Sequence, residues 1–223
     1  MIPKISELFD LEHTIAAELF EGKEYPWEVL ADIHEYILKL GATLSPDEYD
    51  HPEETVWIAK DATVYPSAYI GKCVIIDHGA EVRHCAFIRE NAIVGKSSVV
   101  GNSCELKNVV IFDNCEVPHF NYVGDSVLGY HAHMGAGAVT SNVKSDRKNV
   151  VVKSDDEEIA TGRKKFGAML GDWAEIGCNA VLNPGSVIGR HSNVYPTTCS
   201  RGVVPANCIR KNSGITIPKL PEK

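Results

Sequence analysis

The chain has 223 residues and a mass of 24.4 kDa, which is enough for one sizeable domain or two small ones. Hydrophobic residues make up 44% and charged residues 23% of the chain, which excludes a disordered or fibrous protein. The net charge of −8 argues against general nucleic-acid binding. A membrane-spanning helix needs about 18 consecutive apolar residues, and no apolar run in the sequence approaches that length. The acidic N-terminus is unlike a secretory signal, and the cysteines form no C-x-x-C pair. We therefore expect a cytoplasmic protein with reduced thiols and without nucleic-acid or membrane partners.

The first fifty residues have the apolar spacing of helices. The apolar positions are Ile5, Leu8, Phe9, Ile15 and Leu19, followed by Trp27, Leu30, Ile33, Ile37 and Leu40. Pro26 suits the first turn of a second helix, and Gly41 suits its end. The pattern predicts a helical unit over 1–50, built from a pair of α-helices. We expect this unit to cover the first coil of the domain that follows it.

The rest of the chain is a repeat with a period of six. Apolar residues recur at Ile58, Val64, Ile70, Ile76, Val82, Ile88, Val94, Val100, Leu106 and Phe112, and a small residue precedes most of them by two positions. This period fits neither an α-helix nor an alternating strand, but it fits short strands separated by corners. The large residue would point inward and the small one would let the backbone bend around it. The sequence therefore predicts a mainly β domain over 51–223, a hexapeptide parallel β-helix.

Two interruptions divide the repeat. The register breaks at Pro118 and resumes at Tyr122, Leu128, Met134 and Thr140, and after a gap it restarts at Leu170. The gap, at about 141–167, is rich in both signs of charge and predicts a loop extruded from the solenoid. Such loops often carry function, and the basic run 163–165 either binds a substrate phosphate or is a solvated surface.

The first break contains a candidate catalytic residue. His119 lies there with Asn121 and Tyr122 beside it, and histidine is the commonest general base near neutral pH. The alternative interpretation is a surface histidine at a bulged corner. The spacing alone leaves both interpretations open.

Two longer segments resemble a known family. They are PHFNYVGDSVLGYHAHMGAGAVTSN and TGRKKFGAMLGDWAEIGCNAVLNPGSVIG, and YPWEVLADIHEYIL is similar to the helix that precedes the same domain. They resemble the acetyltransferase domain of bifunctional N-acetylglucosamine-1-phosphate uridylyltransferase/glucosamine-1-phosphate acetyltransferases, particularly the archaeal-type enzymes. The resemblance covers roughly 25–205. It implies a left-handed β-helix, acetyl-CoA as cosubstrate, an amino-sugar phosphate as acceptor, and a homotrimer with active sites between neighbouring chains.

The resemblance also implies roles for individual residues. His119 would be the general base, and Arg89 and Lys107 would hold the sugar phosphate, as guanidinium and ammonium groups do. The other side chains expected at the sugar are Tyr122, His133, Asn142 and Lys165. The positions expected at coenzyme A are Ala136, Cys178 and Pro196. Direct attack of an amine on the thioester needs no cysteine nucleophile.

Three departures from the family pattern affect these expectations. His133 replaces a usual asparagine, Cys178 replaces a usual serine, and no residue after Asn207 matches the family's terminal arginine. In addition, no Gly-rich loop with a following Arg and Lys precedes the repeat, so pyrophosphorylase activity is not expected. A non-catalytic solenoid that serves assembly or regulation is therefore an alternative.

A zinc-dependent carbonic anhydrase of the same fold is a further alternative. Such a site needs three histidines that converge between chains, and the chain has nine histidines, with His131 and His133 alternating. An isolated histidine pair is a weak metal signal, so we expect no metal.

Overall fold

Helices are confined to the start of the chain in the computed structural model, which describes residues 1–220. The α-helices are α1 (Ile5–Leu8) and α2 (Ile33–Gly41). Three 3₁₀ helices lie between or beside them, at Leu11–His13, Ala17–Phe20 and Pro26–Ala31. The predicted pair of α-helices is present, but the first is a single turn and Pro26 begins a 3₁₀ helix. No helix within 1–220 is long and apolar enough to cross a membrane.

Short strands make up the remainder. The first group is β1 (Tyr49–Glu53), β2 (Val56–Ala59), β3 (Thr63–Val64), β4 (Tyr69–Ile76), β5 (Glu81–Val82), β6 (Phe87–Val94), β7 (Val99–Asn102), β8 (Glu105–Ile111), β9 (Glu116–His119), β10 (Tyr122–Leu128), β11 (His133–Met134) and β12 (Val139–Thr140). The second group is β13 (Val151–Lys153), β14 (Glu158–Ala160), β15 (Ala168–Leu170), β16 (Glu175–Ile176), β17 (Val181–Leu182), β18 (Ser186–Ile188), β19 (Asn193–Val194), β20 (Cys199–Ser200), β21 (Val203–Val204), β22 (Cys208–Arg210) and β23 (Thr216–Pro218).

The strands stack in parallel into a solenoid with three faces. Face 1 contains β2, the second halves of β4, β6, β8 and β10, and then β15, β18 and β21. Face 2 contains β3, β5, β7, β9, β11, β16, β19 and β22. Face 3 contains the first halves of β4, β6, β8 and β10, and then β12, β17 and β20. The predicted hexapeptide-repeat parallel β-helix is confirmed.

Corners between faces depend on residues with left-handed backbone angles. Between faces 3 and 1, Cys73, Asn91, Asn108 and Asp125 have φ of 54°, 53°, 51° and 49°. Asn and Asp tolerate this conformation better than most residues. The apolar residues that alternate with these corners fill the interior, and Ile88, Leu106 and Val123 are fully buried. Burial of each such side chain stabilises the folded state by on the order of 2 kcal/mol.

The register shortens by one residue at a place that the sequence pattern did not indicate. Ile88 is the partner of Leu106, but Glu90 is the partner of Lys107, so the residue is lost at the corner between faces 3 and 1. The coil that follows keeps this shorter length, because Val123 lies beside Leu106 and Leu128 lies beside Ile111. The break predicted at Pro118 was therefore wrong.

This shift also corrects two inward positions. Ile111, rather than Phe112, continues the column of Val94, and Val123, rather than Tyr122, continues the column of Leu106. Phe112 is nevertheless buried, because its ring packs against the N-terminal segment, 5.1 Å from the ring centroid of Phe9.

The N-terminal segment contacts the first coil, where Gly41 lies against the Trp57 ring of β2, and it also lies along the rest of face 1. Its beginning contacts late coils, where the Asp172 carboxylate accepts a hydrogen bond from the N–H of Asp10 at 2.8 Å. Its middle contacts a central coil through the Asn108 side chain, which donates to the Leu30 carbonyl at 3.1 Å. Helix α2 packs on β4, β6 and β8. Apolar residues therefore cover both sides of face 1.

Strand β1 covers the edge of the first coil on this face by pairing antiparallel with β2. At the other end, β23 pairs antiparallel with β22 on face 2. The division into a 1–50 unit and a 51–223 unit remains a prediction, and its last three residues lie outside the described residues.

The chain leaves the solenoid after β12 and returns at β15. Between them β13 and β14 form an antiparallel hairpin. Val150 and Val152 are fully buried, so the hairpin folds back against the late coils. The backbone at Gly185 donates to the carbonyl of Gly167 at 3.1 Å, which fixes the end of the excursion.

Candidate active site

His119 is the last residue of β9 and is exposed at the corner between faces 2 and 3. The following residue, Phe120, has φ of 52°, which turns the chain onto face 3. Buried Asn121 fixes this corner, because its Oδ1 accepts the N–H of His119 at 3.0 Å. Its side-chain amide donates to the carbonyls of Gly135 and Ala138 at 2.8 and 3.0 Å. The structure thus turns the His119 side chain toward solvent on a rigid support.

Asn121 was not among the predicted site residues. Its signal was present in the sequence, since it occupies the small-residue position of the repeat, where Cys104 stands one coil earlier. A buried side-chain amide at that position needs hydrogen-bond partners, and Asn121 finds them in the backbone groups of the corner.

His119 is aligned with the three positions expected at coenzyme A. The carbonyl of His119 accepts the N–H of Gly137, which follows Ala136, at 2.9 Å. In the same way, the Ala136 carbonyl accepts from Asn179 at 2.8 Å, and the Cys178 carbonyl accepts from Thr197 at 2.8 Å. We call His119, Ala136, Cys178 and Pro196 the His119 column. With coils about 4.8 Å apart, the column extends for about 14 Å, and an elongated ligand can lie along it.

A second group of predicted residues lies at the corner between faces 3 and 1. We call Lys107, Tyr122, Asp125 and Asn142 the polar corner. The Asn142 amide donates to Asp125 Oδ2 at 2.6 Å and to the Tyr122 hydroxyl at 3.1 Å. Lys107 Nζ lies 3.5 Å from Asp125 Oδ1.

Asp125 is the centre of this group, although sequence reasoning did not single it out. Its carboxylate is 2% exposed and also accepts from the Asn108 amide at 3.1 Å. A buried carboxylate is stable only with partners of this kind. The polar corner is therefore a preorganised network in which Asp125 orients Asn142, and Asn142 orients Tyr122.

Arg89 is beside the polar corner at the exposed edge of face 3. Its guanidinium donates to Glu105 Oε1 at 2.9 Å. Burial raises the pKa of Tyr122, and the charges of Asp125 and Glu105 raise it further, while Arg89 opposes the shift. The Tyr122 hydroxyl thus stays protonated and can donate a hydrogen bond to a ligand.

Lys165 and Arg163 come from the end of the 141–167 excursion. Lys165 is exposed, and its backbone forms an isolated antiparallel β-bridge with Val143, which follows Asn142. Arg163 is half-buried, and its Nε has no hydrogen-bond partner among 1–220. Burial lowers the pKa of the Arg163 guanidinium, and the charge of Asp125 opposes this shift.

His133 lies elsewhere. It is on face 2, where its Nδ1 is 2.8 Å from Glu175 Oε2. The polar corner lies between faces 3 and 1, so within one chain His133 on face 2 is separate from it. The His119 column and the polar corner occupy opposite edges of face 3, and no hydrogen bond or ion pair within 1–220 joins them.

The free thiols and the potential metal ligands do not form a second site within 1–220. All seven cysteines are free, and Cys85, Cys178 and Cys199 are exposed. Among residues 1–220, no three His, Cys, Asp or Glu side chains gather in a way that could hold a metal ion.

Comparison with known proteins finds similarity over part of the chain. A model of the GMPPB C-terminal domain matches residues 70–161. The bifunctional sugar-1-phosphate nucleotidylyltransferase/acetyltransferase of Sulfurisphaera tokodaii is 38% identical over 94 residues, which are 42% of this chain and 23% of that protein. The bifunctional protein GlmU of Methanococcus aeolicus is 34% identical over 110 residues, 49% of this chain and 24% of that one. The resemblance to these bifunctional enzymes is confirmed.

The match to the nucleotidylyltransferase/acetyltransferases is partial. This chain spans about a quarter of the length of the curated relatives it matches. A hexapeptide transferase family protein of Anaplasma phagocytophilum, known as a crystal structure, is 16% identical with a TM-score of 0.44. That comparison covers 75% of this chain and 80% of the other.

Proposed function

We propose that this protein is an acetyl-CoA-dependent N-acetyltransferase that acts on an amino-sugar phosphate such as glucosamine-1-phosphate. The observation that carries the proposal is the alignment of exposed His119 with Ala136, Cys178 and Pro196 in one column. Coenzyme A is long and narrow, so a column along the edge of a sheet suits it. Homology to the nucleotidylyltransferase/acetyltransferases supports the same reaction class.

In the proposed reaction the amino group of the sugar attacks the thioester carbonyl. A C–N bond forms, His119 takes the proton that the nitrogen loses, and the C–S bond breaks. The proton then passes to the departing sulfur, so the products are the N-acetylated sugar and free coenzyme A. Backbone N–H groups at the coil edge are candidates to stabilise the oxyanion.

The polar corner, together with Arg89 beside it, supplies the features that an amino-sugar phosphate needs. Arg89 and Lys107 provide positive charge for the phosphate, and Tyr122 and Asn142 provide a linked pair of groups for sugar hydroxyls. Lys165 is adjacent to this group. His133, on face 2, is proposed to reach the sugar of a site shared with another copy.

A homotrimer in the cytoplasm is part of this proposal. A neighbouring copy can bring its polar corner to the His119 column, which a single chain keeps on the other edge of face 3. The outer side of face 3 carries exposed Tyr69 and Phe87, whose rings are 5.4 Å apart. An exposed aromatic pair of this kind favours contact with a second copy.

The test is release of free thiol from acetyl-CoA in the presence of glucosamine-1-phosphate. His119→Ala should lower turnover by about 100-fold or more, because general-base catalysis contributes at least that factor. His84→Ala is the matched control, since His84 is an exposed histidine at the same corner two coils earlier. Size-exclusion chromatography with light scattering checks that both variants keep the wild-type assembly. Equal turnover in wild type and His119→Ala would overturn the proposed base.

A non-catalytic solenoid is the second candidate, favoured by His133 and Cys178 at positions where the resembling family has asparagine and serine. No thiol release with any of a panel of amino-sugar phosphates and nucleotide-linked amino sugars would favour this second function.

A further inference from the structure

A cleft of about 620 Å³ lies between the 141–167 excursion and the late coils. Its lining includes Ser141, Lys144, Asp146 and Lys153 from the excursion, and Asn183 and Arg201 from the solenoid. This volume lies within the range of about 300 to 1,000 Å³ that small-molecule sites usually occupy. The cleft is separate from the His119 column, which lies at the opposite edge of face 3.

The cleft concentrates positive charge in an acidic protein. Three cations and one carboxylate line it, whereas the whole chain has a net charge of −8. A concave surface with one dominant sign of charge attracts ligands of the opposite sign. The charge of the cleft therefore favours an anion.

The cations are available to a ligand. Arg201 is exposed and makes no hydrogen bond or ion pair within 1–220. Lys144 Nζ lies 3.3 Å from Asp146 Oδ2. Lys153 forms an ion pair with Glu158. All four of these side chains are partly or largely exposed. Exposed ion pairs contribute only about 0 to 1 kcal/mol, so a multiply charged anion can replace the carboxylates.

The position of the cleft connects it with the acceptor site. Ser141 lines the cleft and directly precedes Asn142 of the polar corner. Ser141, Asn183 and Arg201 directly follow the face 3 strands β12, β17 and β20, so the cleft lies at the same edge of face 3 as the polar corner. A substrate that carries further phosphates beyond an amino sugar fits this arrangement.

We propose that this cleft is a diphosphate-binding site. Two substrates contain such a group: a nucleoside diphosphate joined to the amino sugar, and coenzyme A. The identity of the substrate rests on the proposed function, whereas binding of the anion itself does not.

Direct binding tests the site. Calorimetry on the full chain with inorganic pyrophosphate, UDP and coenzyme A should show binding by wild type that weakens about tenfold in Arg201→Ala and in Lys153→Ala. Lys148→Ala is the control, because Lys148 is an exposed cation of the same excursion that does not line the cleft. Thermal melts show whether each variant folds. If either Arg201→Ala or Lys153→Ala fails to fold, the binding affinity of the other variant tests the site.

The separate ligands identify the source of the diphosphate. A loss confined to UDP points to a nucleotide-linked acceptor, and a loss confined to coenzyme A points to the cosubstrate; either supports the site. Equal affinities in wild type, Arg201→Ala and Lys153→Ala, or no pyrophosphate binding at millimolar concentration, would overturn it. His119→Ala should bind pyrophosphate as wild type does, so failure of the cleft is distinguishable from failure of the proposed catalysis.

Discussion

Asp125 and Asn142 lie 17 positions apart in the chain, and the carboxylate of one accepts a hydrogen bond of 2.6 Å from the amide of the other. This contact joins the corner in the middle of β10 to the residue where the chain leaves the solenoid. The same carboxylate faces Lys107 from the coil before. One buried side chain thus holds together three successive coils at the polar corner.

Replacing Asp125 by Asn should destabilise the protein by about 3 kcal/mol, because Lys107, whose side chain is only 14% exposed, loses its partner. Urea unfolding followed by circular dichroism measures the change. Asp61→Asn, at an exposed carboxylate, should change stability by less than about 1 kcal/mol. Similar free energies of unfolding for the two variants would show that the Asp125 network contributes little.

Gly101 lies directly beneath the strand that carries His119. A Cβ at this position would come within 1.6 Å of the backbone oxygen of Pro118, which a side-chain movement cannot relieve. Gly101→Ala should therefore cost about 3 kcal/mol or more and displace the His119 corner. Thermal unfolding and the acetyl-transfer assay report the two effects.

Gly22→Ala is the control for this change. Gly22 has φ of +71° and open space around it, so alanine there meets only backbone strain, about 1 to 2 kcal/mol. A smaller loss of stability in Gly101→Ala than in Gly22→Ala would contradict the close approach.

Asp172 anchors the N-terminal segment to the late coils. Its buried carboxylate accepts from the N–H groups of Asp10 and Tyr130 and pairs with the Arg190 guanidinium at 2.5 Å. Asp172→Asn should cost about 3 kcal/mol and expose the segment to proteases. Limited proteolysis with mass spectrometry locates the cuts, and Asp156→Asn, at an exposed carboxylate, should resemble wild type. Unchanged cleavage in Asp172→Asn would show that other contacts hold the segment.

Tyr36 should make stability fall at alkaline pH. Its hydroxyl, which donates to the Ile15 carbonyl at 3.3 Å, has a pKa raised from 10.0 to about 12, chiefly by burial. Below pH 10 the group is protonated in both states. Between pH 10 and about 12 only the unfolded state ionises, so the free energy of unfolding declines by about 2 to 3 kcal/mol.

Tyr36→Phe should lose about 1 kcal/mol at pH 7, because one hydrogen bond is missing, and should show a shallower alkaline decline than wild type. Chemical unfolding at half-unit intervals from pH 8 to about 11 compares the two proteins. Parallel curves would show that Tyr36 is not the source of the decline.

The sequence alone predicted the solenoid because the inward residues of a hexapeptide coil are set locally. Val64, Val82 and Val100 are stacked in register on face 2, as the period of six requires. The column of Ala136, Cys178 and Pro196 came from resemblance, and the structure aligns these residues with His119. Their roles remain predictions.

Tertiary structure decided what depends on contacts between distant residues. The hydrogen bond from Asp10 to Asp172 spans 162 positions, so no local pattern could show that the N-terminal segment reaches beyond the first coil, along face 1, to the late coils. The shortened corner at Lys107 and the central role of Asp125 also depend on contacts between residues that are distant in the chain. A missing residue in one coil is tolerated only where buried groups of its neighbours replace the lost contacts, and that compensation exists only once the coils are stacked.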